Sequence, residues 1–251
     1  MRAAVTIRIQ AITARSTAGG SDFMRERTLR VERLGRVEYG TALEIQKQTE
    51  RAVLNGEQPD TLLLLEHPHT LTLGRRSVAG AIVAPDNVLR QRDVTVFETN
   101  RGGRATYHGL GQIVGYPIMN LSPDREDVHR FVRDLEEVLI RAMSDFDIDA
   151  FRIQGLTGVH TPQGKVAAIG LHIARWVTTH GFALNVNTDL SYFDLIVACE
   201  GEPVTSMKEL LGREVEMTLV EGRIIERFAE VFQMELCHRG AETQRMQTLI
   251  A

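Results

Sequence analysis

Cysteine is scarce in this chain of 251 residues, which contains only Cys199 and Cys237. Two cysteines cannot build a disulfide framework, and neither belongs to a CxxC motif or to a Cys/His spacing typical of zinc sites. We therefore expect free thiols, a cytoplasmic or similarly reducing location, and neither a metal ion nor another cofactor.

Long apolar runs and a large excess of one charge are also absent. No stretch of 18 or more apolar residues occurs, so the sequence predicts no transmembrane helix and no membrane partner. The formal net charge of -4 argues against a surface built for nucleic acid. Hydrophobic residues make up 43% of the chain and charged residues 25%, which is an ordinary globular composition.

Acidic residues are missing before Asp22, whereas Arg2, Arg8 and Arg15 occur in this first stretch. The bias is similar to that of a transit peptide. Three interpretations stay open: translation starts at Met24, the stretch is a disordered tail, or it is an organelle presequence. We expect residues 1–23 to be an extension outside the fold and residues 24–251 to form a single domain.

The spacing of apolar residues from Thr28 onward predicts an α/β chain of the α+β kind, with mixed sheets and flanking helices. The four leucines of Thr61–Leu65 predict a buried central strand, because Pro59 and Pro68 bound a run too short for a free helix. Amphipathic helices are predicted over Thr41–Asn55, from Pro123 to Phe146 and over Val220–Cys237, with short helical pieces in 191–211. Further strands are predicted near residues 29–37, 70–76, 94–98, 113–121, 148–152, 156–160, 165–173 and 176–187.

Glycine is concentrated between Arg101 and Leu121, where five glycines surround Thr106, Tyr107 and His108. Such a stretch lets the backbone bend sharply and lets a ligand approach closely, and the apolar residues after it predict a core strand. A loop that opens onto a core strand is a common place for a site. The alternative interpretation is a hairpin with a structural tyrosine and histidine.

Two reactive side chains occur in the second half. Lys165 follows the turn Pro162-Gln163-Gly164 at the start of an apolar strand, and Cys199 ends the apolar run 195–198. A thiol near pKa 8.5 is only a few per cent ionised at neutral pH, and a nearby ammonium lowers its pKa and creates a nucleophile. The alternatives are a solvated lysine and a buried free cysteine, because two side chains 34 positions apart in sequence need not meet.

Several motifs in register resemble the lipoyl(octanoyl) transferase family. They comprise Arg101-Gly102-Gly103, Thr106-Tyr107-His108-Gly109, Gly111-Gln112, Gly164-Lys165-Val166-Ala167-Ala168-Ile169-Gly170, His180-Gly181-Phe182-Ala183-Leu184-Asn185-Val186, Asp189-Leu190 and Cys199. The likeness extends from about Arg30 to about Gly212. It implies the fold of biotin and lipoate protein ligase catalytic domains.

The resemblance also implies a reaction. The octanoyl group of octanoyl-acyl carrier protein would move to a lysine of lipoyl domains in 2-oxoacid dehydrogenases or of the glycine cleavage H protein. Cys199 would be the nucleophile that carries the acyl thioester, and Lys165 would lower the pKa of its thiol and act as acid and base.

The same resemblance implies a binding surface. Its residues would be Arg101, Gly102, Gly103, Thr106, Tyr107, His108, Gly109, Ala168, Ile169, Gly170, His180, Gly181 and Ala183, with His67 and Arg75 as positions for substrate or partner contact.

Four positions depart from the family pattern. Leu110 replaces the usual proline of His-Gly-Pro-Gly-Gln, and Asn100 stands where aspartate is more common before Arg-Gly-Gly. Ala198 and Glu200 replace the proline before and the glycine after the cysteine. A carboxylate at Glu200 that points inward would raise the thiol pKa.

Three other functions stay open on the sequence. A lipoate or biotin ligase would activate a free acid with ATP and has no need of Cys199. An amidotransferase would move octanoyl or lipoyl groups between protein lysines. A non-catalytic homologue would only bind acyl chains or carrier protein.

Overall fold

The computed structural model describes residues 27–197 and 202–237. Its largest sheet contains β1 (Arg27–Arg36), β2 (Asp60–Glu66), β6 (Gln112–Ile118), β7 (Val159–Thr161), β8 (Gly164–Ala174), β9 (Val177–Asn185) and β10 (Met234–Leu236). The strand order is β10-β1-β2-β6-β9-β8-β7. β10 and β2 run parallel to β1, and the other neighbours are antiparallel.

A second sheet of three strands lies beside the first. It is formed by β3 (Thr70–Leu73), β4 (Thr95–Glu98) and β5 (Ala105–His108), in the order β4-β3-β5. Its apolar face packs against α2 (Asp86–Gln91) and a 3₁₀ helix (Leu190–Leu195), through Leu71, Tyr107, Leu89 and Leu195.

Helices cover both faces of the large sheet. α3 (Val128–Ser144) and α5 (Met217–Phe232) pack on one face, and α1 (Tyr39–Leu54) packs on the other. Alternate residues of β2 serve the two cores: Leu62 and Leu64 face α3 and α5, whereas Leu63 and Leu65 face α1. Each fully buried leucine contributes about 1.5–3 kcal/mol, so the continuous apolar run of β2 is explained by burial on both faces.

The predicted class of mixed sheets with flanking helices is confirmed, as are the central strand 61–65 and the helix over 41–55. The predicted start of α3 at Pro123 was wrong. The helix begins at Val128, where the Asp127 carboxylate accepts a hydrogen bond from the backbone N–H of Arg130 at 3.0 Å and caps the first turn. Pro123 lies in the preceding turn.

Two further predictions need correction. The strand predicted over 148–152 is reduced to one bridge, in which Phe151 pairs with His160. The helix predicted over 220–237 ends at Phe232, because Gln233 adopts a left-handed conformation with φ 53° and the chain continues as β10. The short helices α2 and α4 (Met207–Leu211) complete the described elements.

No described helix is both long enough and apolar enough to cross a membrane.

Candidate active site

A cavity of about 180 Å³ lies between the two sheets, on the face of the large sheet that also carries α1. One wall comes from the middle of β8 and β9, and the other comes from β5 and the loop before it. The lining residues in the described part of the chain are Tyr39, Arg76, Arg101, Gly103, Arg104, Ala105, Thr106, His108, Tyr116, Gly155, Leu156, Thr157, Lys165, Ala168, Ile169, Gly170, His180, Gly181, Phe182, Ala183 and Glu202.

The Arg101-Gly102-Gly103 loop lies directly on β8. The backbone N–H of Gly102 donates to the carbonyl of Leu171 at 2.7 Å. This approach requires glycine at position 170, because a Cβ there would lie 2.8 Å from the Gly102 carbonyl oxygen. The glycines of two separate motifs therefore bring the loop and the sheet together around the cavity.

Arg101 is 7% exposed and fixes the loop to the small sheet. Its Nη2 donates to the carbonyl of Thr72 at 2.7 Å and to the hydroxyl of Thr72 at 2.8 Å, and its Nη1 donates to the carbonyl of Gly102 at 3.0 Å. The Thr72 hydroxyl lies 3.5 Å from Nε2 of His108. The guanidinium thus places a permanent positive charge beside the cavity wall.

Buried histidines and tyrosines form the polar floor of the cavity, which we define as Tyr39, His67, His108, Tyr116 and His180. His67 Nδ1 donates to the carbonyl of Val37 at 2.7 Å, so its Nε2 accepts from the Tyr116 hydroxyl at 2.7 Å. Because the Gln112 side-chain oxygen accepts from Nδ1 of His108 at 2.9 Å, the Nε2 of that ring carries a lone pair.

The polar floor is electrically neutral near pH 7. Burial lowers the pKa of His67 to about 4. Burial, together with the charge of Arg101, lowers the pKa of His180 to about 4. The pKa of His108 lies well below its usual value, chiefly through burial. Burial also raises the pKa of Tyr39 to about 12. The floor consequently presents neutral rings and hydroxyls, which an uncharged chain can approach without displacing ions.

Lys165 lies at the start of β8 and lines the cavity, and backbone hydrogen bonds fix its position. Its N–H donates to the carbonyl of Pro203 at 2.8 Å, and its carbonyl accepts from the N–H of Thr205 at 3.0 Å. The side chain passes over Gly158, where a Cβ would lie 2.6 Å from the lysine Cε. Lys165 is 13% exposed, and its Nζ lies 3.6 Å from the Glu202 carboxylate.

A smaller cavity of about 40 Å³ adjoins the first. The two cavities share Ala105, Thr106, Lys165, Ala168, Ala183 and Glu202. Beyond these residues the small cavity is mainly apolar, with Ala167, Phe193, Ile196 and Val204 in its wall. Lys165 therefore lies where the two cavities meet.

Most of the residues predicted for substrate binding line the large cavity. These are Arg101, Gly103, Thr106, His108, Ala168, Ile169, Gly170, His180, Gly181 and Ala183, together with Lys165. Gly102 lies in the loop behind Arg101, and Arg75 is an exposed residue whose N–H donates to the carbonyl of Arg101 at 3.0 Å. His67 is the member of the polar floor that does not itself line the cavity, and it contacts Tyr39 and His108.

Tyr107 points away from the large cavity, because neighbouring residues of a strand face opposite sides. Its hydroxyl hydrogen-bonds to Nδ1 of His69 at 2.8 Å, and its ring stacks on Tyr192. Gly109 leaves room for this hydroxyl, since a Cβ there would lie 1.7 Å from it. Cys199, like Ala198 and Glu200, lies outside the described residues.

Sequence reasoning did not single out four residues that the fold brings to the site. Tyr39 and Tyr116 come from α1 and β6, and Glu202 and His160 flank Lys165. The position of His160, opposite Lys165 in the predicted hairpin around Pro162-Gln163-Gly164, was the one local signal available.

Residues 38–229 match the family model described as the lipoyl protein ligase A/B catalytic domain. The chain is 49% identical to the octanoyltransferase of Solibacter usitatus over 207 aligned residues. The alignment covers 82% of this chain and 94% of that protein. The chain belongs to the octanoyltransferase family. The resemblance drawn from the separate motifs is confirmed.

Solved structures extend this comparison to the fold of the octanoyltransferase chain. The bi-partite lipoate protein ligase of Thermoplasma acidophilum superposes with a TM-score of 0.67 at 17% identity, over 89% of this chain and 90% of that one. The biotin protein ligase of Aquifex aeolicus superposes with a TM-score of 0.52 at 14% identity, over 81% of this chain and 70% of that one. These likenesses confirm the predicted biotin/lipoate ligase fold.

Proposed function

We propose that this chain transfers an octanoyl group from octanoyl-acyl carrier protein to a lysine of a lipoyl domain, through a thioester on Cys199. The observation that carries the proposal is the position of Lys165, a poorly exposed lysine at the junction of two cavities. Membership of the octanoyltransferase family supplies the acyl group. The lipoyl domains of 2-oxoacid dehydrogenases and the glycine cleavage H protein are the proposed acceptors, and the cytoplasm is the proposed location.

The large cavity would hold the acyl chain. Its walls combine the small side chains of Ala168 on β8 and Ala183 on β9, and the backbone of the residues beside them, with the neutral polar floor. Burying about seven methylene or methyl groups at roughly 0.8 kcal/mol each would contribute about 5 kcal/mol of binding. The charged side chains of the described lining are Arg76, Arg101, Arg104, Lys165 and Glu202, so the acyl chain would lie along the uncharged part of the wall.

In the first half of the reaction the Cys199 thiolate attacks the carrier thioester. A bond forms between the cysteine sulfur and the acyl carbon, the carrier sulfur leaves, and the Lys165 ammonium gives it a proton. In the second half the acceptor lysine amine attacks the Cys199 thioester. The now neutral Lys165 takes the proton that the amine loses, and the Cys199 thiolate and the Lys165 ammonium are restored.

Sequence connectivity supports pairing these two groups. Cys199 stands three positions before Glu202, whose carboxylate lies 3.6 Å from the Lys165 ammonium. Two positions before Cys199, the N–H of Val197 donates to the carbonyl of Ala81 at 2.8 Å. The described residues Ile196 and Glu202, on either side of the thiol in sequence, both line the small cavity.

Intact-mass measurement tests the proposal. Incubation with octanoyl-acyl carrier protein should add one octanoyl group to the wild-type chain, and a lipoyl domain added afterwards should receive it without ATP. Cys199→Ser should take up no group, and Lys165→Ala should slow both steps while folding normally. An undiminished adduct on Cys199→Ser would rule out the thioester, and an ATP requirement would indicate a ligase.

A further inference from the structure

Glu202 lies between two nitrogen-bearing side chains at the junction of the cavities. Its carboxylate is 3.6 Å from Nζ of Lys165 and 3.4 Å from Nε2 of His160. The exposed fractions are 13% for Lys165, 19% for Glu202 and 3% for His160. All three side chains are therefore largely withdrawn from solvent, where an ion pair is screened less than at the surface.

Two strand pairings build this cluster. His160 on β7 lies directly opposite Lys165 on β8, and directly opposed residues of antiparallel strands project from the same face. On its other side Lys165 pairs in parallel with Val204. The backbone of residues 203–205, next to Glu202, is hydrogen-bonded to the backbone of Lys165. The position of Glu202 therefore does not depend on the side-chain contact alone.

The surrounding charges make this carboxylate distinctive. Of the described residues that line either cavity, Glu202 alone is acidic, whereas Arg76, Arg101, Arg104 and Lys165 are basic. The other titratable groups are His108 and His180, whose pKa values are lowered, and Tyr39 and Tyr116, whose pKa values are raised. Lys165 therefore has one described carboxylate facing it inside a basic cavity.

The His160 ring completes the arrangement. Its Nε2 points to the Glu202 carboxylate, which can accept only from a protonated nitrogen. Its Nδ1 is buried and has no hydrogen-bond partner among the described residues. The ring therefore makes its one polar contact among the described residues with Glu202, at the same carboxylate oxygen, Oε2, that faces the lysine.

We propose that Glu202 is a positioning residue for Lys165, that it holds the ammonium at the junction of the two cavities, and that His160 orients Glu202. This inference rests on the proposed function, because it assigns Glu202 to the lysine that moves the protons. At 3.6 Å the ammonium is paired with the carboxylate without a full hydrogen bond. The lysine can therefore turn toward a reacting sulfur or amine while the negative charge keeps it in the junction.

Glu202→Gln tests the proposal, since it removes the charge and keeps the shape. We expect kcat/KM for octanoyl transfer to fall roughly fivefold, as for the loss of an ion pair near the upper end of the usual range, with an unchanged unfolding midpoint. Glu202→Asp keeps the charge and should restore a rate near that of wild type.

Glu209→Gln is the matched control. Glu209 lies seven positions further along, is exposed, and accepts from the Thr205 hydroxyl at 3.3 Å without lining either cavity. The same substitution there should leave the rate unchanged. His160→Leu should lower the rate as Glu202→Gln does, whereas His160→Gln, which keeps an N–H donor of similar reach, should remain near wild type.

The outcomes separate the two proposals. A wild-type chain that takes up no octanoyl group overturns the proposed function and this inference with it. A wild-type chain that is acylated, alongside a Glu202→Gln chain with the wild-type rate, overturns the role of Glu202 alone. A normal rate for folded His160→Leu overturns the role of His160.

Discussion

Neutral histidines of the polar floor couple folding to pH at the scale of single residues. His67, His108 and His180 have lowered pKa values in the folded chain because each ring is buried. In the unfolded chain the same rings titrate near 6.5. Between that value and about 4 the unfolded chain binds more protons than the folded chain, so the free energy of unfolding rises with pH in this window.

The first prediction is therefore a loss of stability on acidification. Denaturant unfolding at intervals from pH 7.5 to pH 4 should show stability that is fully present above about 6.5 and falls toward pH 4. His180→Asn should flatten this fall, since asparagine tolerates the backbone φ of 57° at this position and does not titrate.

His129→Asn is the control for that experiment. His129 is exposed on α3, so its substitution should leave the slope of stability against pH unchanged. A slope equal to the wild-type slope in His180→Asn would show that this ring does not contribute to the pH dependence.

Departures from the family pattern also act at the residue scale. Asn100, in place of the more common aspartate, accepts from Nε2 of His180 through its side-chain oxygen at 2.7 Å. An amide here keeps this hydrogen bond and adds no negative charge to the polar floor. Leu110 precedes Gly111, whose N–H donates to the Glu66 carboxylate at 2.7 Å, so the turn is fixed by hydrogen bonds where the family has proline.

At the scale of elements, close packing between the loop and β8 depends on Gly170. Gly170→Ala places a methyl group 2.8 Å from the Gly102 carbonyl oxygen, which is backbone and cannot turn aside. We expect the Arg101 loop to be displaced, stability to fall by about 1–3 kcal/mol, and octanoyl transfer to fall more than stability explains.

Gly222→Ala is the matched control for this prediction. Gly222 lies within α5 and has no atom within 4 Å of an added Cβ. The same change there should raise stability by about 0.5–1 kcal/mol through helix propensity and leave transfer unchanged. Urea unfolding measures the stability of both variants, and transfer assays measure their activity. Equal stability of Gly170→Ala and wild type would contradict the packing argument.

Element prediction from sequence worked where one local pattern dominated. Leu62–Leu65 could be assigned to a buried strand because the apolar run is short and bounded by prolines, and α3 could be assigned one apolar face because its buried residues repeat at helical spacing. It failed where a single contact decides the structure. The strand predicted from apolar residues over 148–152 is only a single bridge between Phe151 and His160. The helix α5 ends because Gln233 adopts a left-handed backbone conformation.

At the scale of the whole molecule, the site depends on pairings distant in sequence. Tyr39 on α1 and Glu202 line the same cavity, and Lys165 meets Glu202 through a bridge across 39 positions of the chain, from Lys165 to Val204. Composition and periodicity contain no signal for such contacts. Several family motifs in register did predict most of the lining, but they could not show that Tyr107 faces the opposite side of β5.

Walls contributed by both sheets should also determine acyl chain length. Ala168 lines both cavities, so Ala168→Val narrows the space at the point where they meet. Each methylene that remains buried contributes roughly 0.8 kcal/mol, or about a factor of four. A shortened slot should therefore lower kcat/KM for octanoyl-acyl carrier protein by more than it lowers kcat/KM for the butanoyl or hexanoyl substrate.

Ala174→Val is the control that distinguishes an effect of cavity size on acyl-chain preference from an effect of a larger side chain on the packing of β8. Ala174 lies on the same strand as Ala168, six positions further and on the same face, and it lines neither cavity. We expect its variant to keep the wild-type ratio of octanoyl to hexanoyl transfer. If Ala168→Val lowered transfer of all three chains by the same factor, the large cavity would not be the acyl slot, because a narrowed slot must penalise a long chain more than a short one.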